Sequence, residues 1–226
     1  MNCTAELWAD AGLDAEGVRA IRPTLDRPAL GAQVDALLSE LPPHVVIVGH
    51  SLGGIVGMAL ALAAPHRVAG LCLVSTNAKA PTDAQRAGWR EWIARLDLGA
   101  DARSLQQDII EPLLGARVVA ERPDLVGRAL RMGADTGEVA LRAQLEMQLT
   151  RADLLSRLPS LRMPTLVVSG IDDVICPPSF HTEIVTRIDG ARLVSLDAGH
   201  LLPLERPREF GDLVRAWRAQ QIRTAA

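Results

Sequence analysis

Residues 45–60 read VVIVGHSLGGIVGMAL, and this stretch changes character in its middle. Residues 45–48 are a short β-branched run, which is typical of a buried strand. From Leu52 onward, the small and apolar residues indicate a packed helix. A polar residue, Ser51, therefore stands between a predicted buried strand and a predicted buried helix, and its presence there needs an explanation.

Gly49-His50-Ser51-Leu52-Gly53 matches the Gly-x-Ser-x-Gly turn that presents a serine nucleophile. In this turn the chain reverses so sharply that the serine is strained, and we expect Gly49 and Gly53 because a Cβ would not fit beside it. The serine Oγ would stand above the sheet, and the N–H of Leu52 would face an oxyanion. The alternative is a glycine-rich turn with an incidental serine.

The composition is that of an ordinary globular chain. Its 226 residues are 48% hydrophobic and 23% charged, which suffices for one large core. The net charge of −3 gives no reason to expect a nucleic acid or a membrane as partner. The widely spaced Cys3, Cys72 and Cys176 argue against disulfides and a zinc site. The serine chemistry predicted below needs no metal and no cofactor, and we expect none. Without a signal peptide or a bilayer-spanning stretch, the sequence predicts a cytoplasmic protein.

Short apolar runs alternate with helical patterns along much of the chain. Strands that alternate with helices form right-handed βαβ crossovers, so the fold class is predicted as α/β, with a mainly parallel sheet flanked by helices. The predicted strands are residues 44–48, 68–74 and 165–168, with weaker candidates at 18–21 and 192–196. The predicted helices are residues 30–41, 52–64, 178–188 and 207–222.

Residues 79–158 break this alternation because their pattern is helical throughout. An all-helical insertion between two strands is typical of a lid. We therefore expect one catalytic domain, with a core at 1–78 and 159–226 and a helical lid at 79–158. The large side chains of the lid either line a substrate pocket or attach the lid to the core, and we favour the second role for most of them. They are Trp89, Trp92, Met132 and Met147.

Ser51 would need a base and an acid, since a serine hydroxyl is a poor nucleophile at neutral pH. In an α/β sheet these groups come from loops at the carboxyl ends of later strands. The loop after one predicted strand carries Asp172 and Asp173, and the loop after the next carries His200. The order of nucleophile, acid and histidine is that expected for α/β-hydrolases. The other histidines, including His50, are interpreted as structural.

Three motifs carry a family resemblance: GHSLGG at 49–54, PTLVVSGIDDVICPP at 164–178 and AGHLLPLERP at 198–207. Together they resemble α/β-hydrolases of the lidded esterase type, related to pimeloyl-ester esterases, enol-lactone hydrolases and bacterial non-haem haloperoxidases. The resemblance implies an α/β-hydrolase fold with a helical lid after the third predicted strand. In such proteins the acid is usually the third residue after the strand-ending glycine, which implies Asp173, with Asp172 as the alternative.

The start of the chain departs from that family pattern. These hydrolases usually begin with an antiparallel strand pair and a third strand, whose His-Gly loop supplies a second oxyanion donor. Here the chain starts with MNCTAELW, and RPTLDRPAL at 22–30 replaces the usual glycine-rich loop. Either the reading frame starts upstream, or residues 1–3 or another segment supply the donor. An uncovered strand at 18–21 would favour a homodimer through this sheet edge.

The main prediction is a serine hydrolase that cleaves a small carboxylic ester, thioester or lactone through an acyl-enzyme. His200 would take the proton of Ser51, and Asp173 would stabilise the resulting imidazolium. Thr76 and Asn77, after a predicted strand, should lie near the site. The expected partner is a small acyl molecule. Two alternatives stay open: acyl transfer or thioester hydrolysis in a biosynthetic pathway, and a catalytically weak hydrolase fold that binds a ligand.

Overall fold

The computed structural model describes residues 1–14 and 18–224, and in this part of the chain four strands form one sheet. All neighbouring strands pair in parallel, in the order β1-β2-β3-β4. Their carboxyl ends therefore lie at the same edge of the sheet, where loops can converge. The strands are β1 (Val45–His50), β2 (Val68–Val74), β3 (Thr165–Gly170) and β4 (Arg192–Leu196).

Helices connect the strands throughout the described residues. The helices before β2 are α1 (Leu30–Glu40) and α2 (Leu52–Ala63). Those between β2 and β3 are α3 (Asp83–Asp97), α4 (Ala102–Asp108), α5 (Ile110–Leu114), α6 (Ala116–Glu121) and α7 (Pro123–Thr150). The helices after β3 are α8 (Pro178–Val185), α9 (Leu202–Glu205) and α10 (Pro207–Thr224). No helix within residues 1–14 and 18–224 combines the length and the hydropathy needed to cross a membrane.

The predicted parallel sheet flanked by helices is confirmed, but the predicted strand at 18–21 is wrong. Residues 18–21 belong to no strand, and Ile21 is 41% exposed. A strand needs a neighbour for its backbone hydrogen bonds, and no strand within residues 1–14 and 18–224 pairs with this segment. The helical insert follows the predicted strand at 68–74, as expected, and this strand is the second of the sheet because residues 18–21 form none.

The insert of α3–α7 (residues 83–150) has clear local signals at its start and in its middle. Thr82 Oγ1 accepts the Gln85 N–H at 3.2 Å, and Gln85 Oε1 accepts the Thr82 N–H at 3.0 Å, which is a capping box. Helix α7 is interrupted at Gly137, where φ is 72° and ψ is 164°. This conformation suits glycine, and it divides the long helix at a kink.

Side chains along β2 alternate between the two faces of the sheet, and both faces are buried. Leu71 and Leu73 pack in the hydrophobic cluster that includes α2, whereas Cys72 and Val74 pack on the other face. Trp217 of α10 belongs to that second cluster. Successive strand residues point to opposite faces, so a run that is apolar at every position is what a sheet covered on both sides requires.

The large side chains of the insert belong to hydrophobic clusters. Met147 packs with α2, and Met132 packs in a cluster that also holds Leu201 of the core. Trp89 and Trp92 are half-buried against a cluster internal to the insert. Met132 and Met147 therefore pack where the insert meets the core, whereas the two tryptophans pack on the insert.

Candidate active site

The serine turn joins β1 to α2. Ser51 has φ 52° and ψ −117°, a conformation that residues with a side chain rarely adopt. Its N–H donates to the Val74 carbonyl at 2.9 Å, and the Thr76 hydroxyl donates to the Ser51 carbonyl at 2.7 Å. The end of β2 and the residues after it therefore hold the strained turn from both sides.

Two of the three glycines around Ser51 have no space for a side chain. A Cβ on Gly49 would lie 2.5 Å from the Gly53 carbonyl oxygen, and one on Gly54 would lie 2.6 Å from Thr76 Oγ1. A Cβ on Gly53 would meet nothing within 4 Å. The steric prediction is confirmed for Gly49 and wrong for Gly53. At the start of α2, a side chain at position 53 would point to open space, whereas a side chain at position 54 would point at Thr76 in the loop after β2.

Ser51, His200 and Asp173 come together at the carboxyl edge of the sheet. His200 Nε2 lies 3.1 Å from Ser51 Oγ, and His200 Nδ1 lies 2.9 Å and 3.1 Å from the two oxygens of Asp173. An ionised carboxylate only accepts hydrogen bonds, so Nδ1 carries the proton and Nε2 is free to accept the serine hydroxyl. The arrangement can relay a proton from Ser51 to His200.

The environment of Asp173 favours its ionised form. Burial alone would raise the pKa of this carboxyl. The hydrogen bond and the charge of His200, together with the N–H of Cys176, outweigh the burial and lower the pKa. The N–H groups of Ile175 and Cys176 donate to Asp173 Oδ1 at 2.9 Å and 2.8 Å. The acid is therefore a carboxylate at neutral pH.

Asp172 takes a different position from Asp173. Its side chain is exposed, and its N–H donates to the Ala198 carbonyl at 3.1 Å. This bond joins the acid loop to the loop that carries His200. Gly170 makes the close approach possible, because a Cβ there would collide with the carbonyl oxygens of Ala198 and Gly199. The geometry brings Asp173, and not its neighbour, to the histidine.

The main chain of His200 is held on both sides. Its N–H donates to the Leu113 carbonyl of α5 at 3.0 Å, and its carbonyl lies 2.8 Å from Nε2 of His50. A carbonyl only accepts, so His50 Nε2 is the donor. Burial, and secondarily His200, lower the pKa of His50 well below 6.5, which keeps this ring neutral. The edge of Trp8 packs on the same ring.

Glu205 supports the residue before the histidine. The Gly199 N–H donates to both carboxylate oxygens of Glu205, at 3.1 Å and 3.0 Å. Burial, with smaller contributions from Asp173 and Asp172, raises the pKa of Glu205 to about 7 although Arg206 opposes the shift. Within residues 1–14 and 18–224, no group of three or more His, Cys, Asp or Glu side chains is placed to hold a metal ion.

The expected oxyanion donor is placed at the start of a helix. Leu52 is the first residue of α2, directly after Ser51, and N–H groups in the first turn of a helix have no partner within it. A second donor was expected from residues 1–3 or elsewhere. The N–H of Asn2 in that segment is already used, because it donates to Gln144 Oε1 at 2.7 Å. The source of the second donor stays a prediction.

Thr76 and Asn77, the expected pocket residues after β2, adjoin the site. Besides bonding the Ser51 carbonyl, Thr76 donates its N–H to His181 Nε2 at 3.0 Å. The Nδ2 of Asn77 lies 3.7 Å from the Cys176 sulfur, next to the acid loop. Trp92 and Trp89 both pack against the cluster of the insert, and the guanidinium of the buried Arg151 lies over the Trp89 ring.

Sequence reasoning missed three supports of the site. His50 was interpreted as structural, which its hydrogen bond to the His200 carbonyl fits, but its support of the histidine loop was not predicted, although its place beside the serine in the motif was a signal. Glu205 stood in one of the quoted motifs, where an acid among apolar residues marks a buried carboxylate. The Leu113 carbonyl left no signal, because a main-chain contact from the insert depends on tertiary packing.

A parallel sheet with a strained serine turn at the end of β1, an aspartate after β3 and a histidine after β4 defines a hydrolase of the α/β type. The chain belongs to the alpha/beta hydrolase family, whose model matches residues 7–213. The resemblance seen in the three sequence motifs is thereby confirmed. Within the family the chain is a carboxylic ester hydrolase of the esterase type.

Similar proteins include named esterases. The chain is 31% identical over 198 residues to the pimeloyl-[acyl-carrier protein] methyl ester esterase of Aromatoleum aromaticum, covering 83% of this chain and 79% of that relative. A thermophilic esterase from Thermogutta terrifontis has a TM-score of 0.88 at 24% identity, covering 97% of this chain and 86% of that one. The enol-lactonase from Burkholderia xenovorans LB400 has a TM-score of 0.81 at 20% identity, covering 96% and 88%. These two structures share the fold.

Proposed function

We propose that the chain hydrolyses a small carboxylic ester, thioester or lactone through an acyl-enzyme on Ser51. The observation that carries this proposal is the continuous contact from Ser51 Oγ to His200 Nε2, at 3.1 Å, and from His200 Nδ1 to Asp173, at 2.9 Å. Nucleophile, base and orienting acid are within hydrogen-bond reach, which is the geometry that serine catalysis requires. A small acyl molecule is the proposed partner.

The first half of the reaction forms the acyl-enzyme. His200 Nε2 takes the hydroxyl proton while Ser51 Oγ forms a bond to the substrate carbonyl carbon. The negative charge that develops on the carbonyl oxygen meets the Leu52 N–H and the N-terminus of α2. The bond to the leaving oxygen or sulfur then breaks, and the leaving group takes the proton from His200. Asp173 stabilises the imidazolium while it exists.

The second half releases the acid. His200 takes a proton from water, and the hydroxide oxygen attacks the acyl carbon. The bond to Ser51 Oγ breaks, and His200 returns the proton to the serine. Acyl transfer would use the same residues with another acceptor. The name of the Aromatoleum relative makes the methyl ester of a carrier-bound acyl chain a substrate to test first.

The insert is proposed as a lid over this site. Two contacts support the proposal: the Leu113 carbonyl of α5 accepts the His200 N–H at 3.0 Å, and the Leu154 N–H after α7 donates to the Ala78 carbonyl at 2.8 Å. An insert anchored to both the histidine loop and the end of β2 can govern access to Ser51.

The test is hydrolysis of p-nitrophenyl butyrate, together with labelling by a fluorophosphonate probe. In Ser51→Ala we expect kcat to fall by a factor on the order of 10⁶ and labelling to vanish, because the nucleophile is removed. The exposed Ser156 provides a matched control, since Ser156→Ala should keep both activities. Equal rates for wild type and Ser51→Ala would overturn the proposal.

A further inference from the structure

A second strained residue lies beside the serine turn. Ser75, directly after β2, has φ 45°, in the left-handed region that a residue with a side chain rarely adopts. Its N–H donates to the Val168 carbonyl of β3 at 3.0 Å, and its buried hydroxyl has no hydrogen-bond partner within the described residues. A conformation of this kind persists only where surrounding contacts fix it. The contacts that fix the chain after β2 therefore come from outside the Ser75 side chain.

Thr76 connects this strained segment to the nucleophile. Its hydroxyl donates to the Ser51 carbonyl at 2.7 Å. Its Cβ and its methyl carbon would each lie 2.7 Å from a Cβ on Gly54, so the start of α2 packs closely on it. Any displacement of the Thr76 main chain would therefore displace the hydroxyl that holds Ser51.

His181 of α8 holds the main chain of Thr76. Its Nε2 accepts the Thr76 N–H at 3.0 Å, and both residues are 0% exposed. Because Nε2 accepts, the neutral ring carries its proton on Nδ1. Burial, with a smaller contribution from His200, lowers the pKa of His181 to about 4, although Asp173 and the Pro177 carbonyl favour the charged ring. The ring is therefore neutral at neutral pH and able to accept this hydrogen bond.

The helix that carries His181 also follows the acid. Asp173 lies in the loop that leads from β3 into α8, and His181 lies in the first turn of that helix. A second contact joins the same two segments, because Asn77 Nδ2 lies 3.7 Å from the Cys176 sulfur. The bond between His181 and Thr76 thus links the nucleophile turn to the segment that presents the acid.

We propose that His181 is a positioning residue of the esterase site, which acts through Thr76 to hold Ser51 in its reactive conformation. A displacement of a reacting group by about 1 Å can lower turnover by about 100-fold. Contacts that bind the substrate elsewhere in the site do not depend on this bond, so its loss should lower kcat more than it changes KM. The proposal rests on the ester hydrolysis proposed above.

Removal of the acceptor tests the proposal. His181→Leu leaves the buried Thr76 N–H without a partner. We expect kcat for p-nitrophenyl butyrate, per folded enzyme by circular dichroism, to fall about 10- to 100-fold, with KM within about 3-fold of wild type. His181→Gln should recover most of the loss, since its amide oxygen can reach the place of Nε2. The exposed His66 supplies the control His66→Leu, which should keep the wild-type kcat. An unchanged kcat in His181→Leu would overturn the proposal.

A double-mutant cycle tests whether the effect passes through Thr76. Thr76→Val keeps the branched shape of the side chain and removes the hydroxyl that bonds the Ser51 carbonyl. If His181 acts through this hydroxyl, the double variant should be little slower than the slower single variant. A loss in the double variant equal to the product of the two single losses would show that His181 only stabilises the fold.

Amide hydrogen exchange gives a readout that does not need turnover. In His181→Leu, the N–H groups of Ser51 and Thr76 should exchange at least about tenfold faster than in wild type, while those of β4 keep their rates. Unchanged exchange at both residues, or an equal increase throughout the protein, would overturn the positioning role. Absence of Ser51-dependent hydrolysis in wild type would contradict the proposed function instead, and the exchange rates would still decide the role of His181.

Discussion

Ser51 is held in a backbone conformation that costs on the order of 1–3 kcal/mol for a residue with a side chain. Hydrogen bonds with Val74 and Thr76 stabilise this conformation, and both partners come from the neighbouring strand and its loop. Gly54 also lies so close to Thr76 that a Cβ at this position would collide with it. The position of the nucleophile therefore depends on packing against β2 as much as on the five-residue motif.

Alanine substitutions at two adjacent glycines test this dependence. Gly54→Ala should destabilise the protein by about 1–3 kcal/mol and lower ester hydrolysis strongly, because its Cβ would overlap Thr76. Gly53→Ala should keep stability within about 1 kcal/mol, since its Cβ would enter open space in a helix. Urea unfolding and p-nitrophenyl butyrate hydrolysis measure both effects. Similar losses in the two variants would contradict this assignment of the crowded position.

Glu205 couples stability to pH near the histidine loop. Its pKa is raised from 4.5 to about 7, so the folded protein binds a proton that the unfolded chain releases as pH rises through this interval. The stabilisation from this proton is fully present below pH 4.5 and is lost as pH rises through about 7. A shift of this size corresponds to about 3 kcal/mol at most. Above pH 7 a charged Glu205 also faces Asp172 and Asp173, and the Gly199 N–H and Arg206 oppose their effect.

Glu205→Gln isolates this effect. Glutamine keeps an oxygen that accepts the Gly199 N–H, but it does not titrate. Between pH 4.5 and pH 8 we expect the free energy of unfolding of wild type to fall by about 3 kcal/mol relative to the variant. Urea unfolding of both proteins at the two pH values measures the difference. Parallel pH dependence of the two proteins would be inconsistent with a raised pKa.

At the scale of elements, β1 is an edge strand in the part of the chain that the structure describes. It pairs with β2 on one side, and Val46 is 43% exposed. The sequence analysis placed an uncovered sheet edge at residues 18–21. These residues form no strand, so the uncovered edge on this side of the sheet is β1. An unpaired strand edge favours pairing with a second copy of the chain.

We therefore expect a homodimer through β1 at high micromolar concentration. Val46→Lys should shift the protein towards the monomer, because lysine on an edge strand opposes edge-to-edge pairing. Light scattering coupled to size-exclusion chromatography measures the mass of both proteins. The matched control is Val139→Lys, which replaces an equally apolar but distant exposed residue of the insert and should leave the mass unchanged. A monomeric wild type would show that the edge does not associate.

Element positions differ in how far local sequence determines them. Helices α8 and α10 begin at Pro178 and Pro207 as predicted, since proline is favoured in the first turn. Strand β2 has the predicted bounds because its apolar run is unbroken. The ends of β1 and β3 extend beyond the predictions, since pairing with a neighbour fixes them. Strand pairing also explains why residues 18–21 form no strand. A short apolar run becomes a strand only beside another strand, and local sequence does not show whether such a neighbour is present.

At the scale of the whole molecule, the site could be predicted because parallel strands bring their carboxyl ends together. Ser51, Asp173 and His200 lie far apart in the chain, yet each follows a predicted strand. The order of motifs indicated Ser51, His200 and one of two neighbouring aspartates, and the family resemblance selected Asp173. The support from Leu113 and the position of Arg151 over the Trp89 ring could not be predicted in this way. Both depend on how the helices of the insert pack, and the sequence indicates these helices without indicating their arrangement.

The placement of the tryptophans gives the protein intrinsic optical probes. The chain has four tryptophans and no tyrosine, so its ultraviolet emission reports indole surroundings alone. Trp8 lies against His50 behind the histidine loop, and Trp89 lies 5.3 Å from the guanidinium of Arg151. A change in the position or pairing of that guanidinium alters the field at the Trp89 ring. Fluorescence of unlabelled enzyme, with Trp89→Phe as the blank, can therefore follow changes around Trp89 in real time.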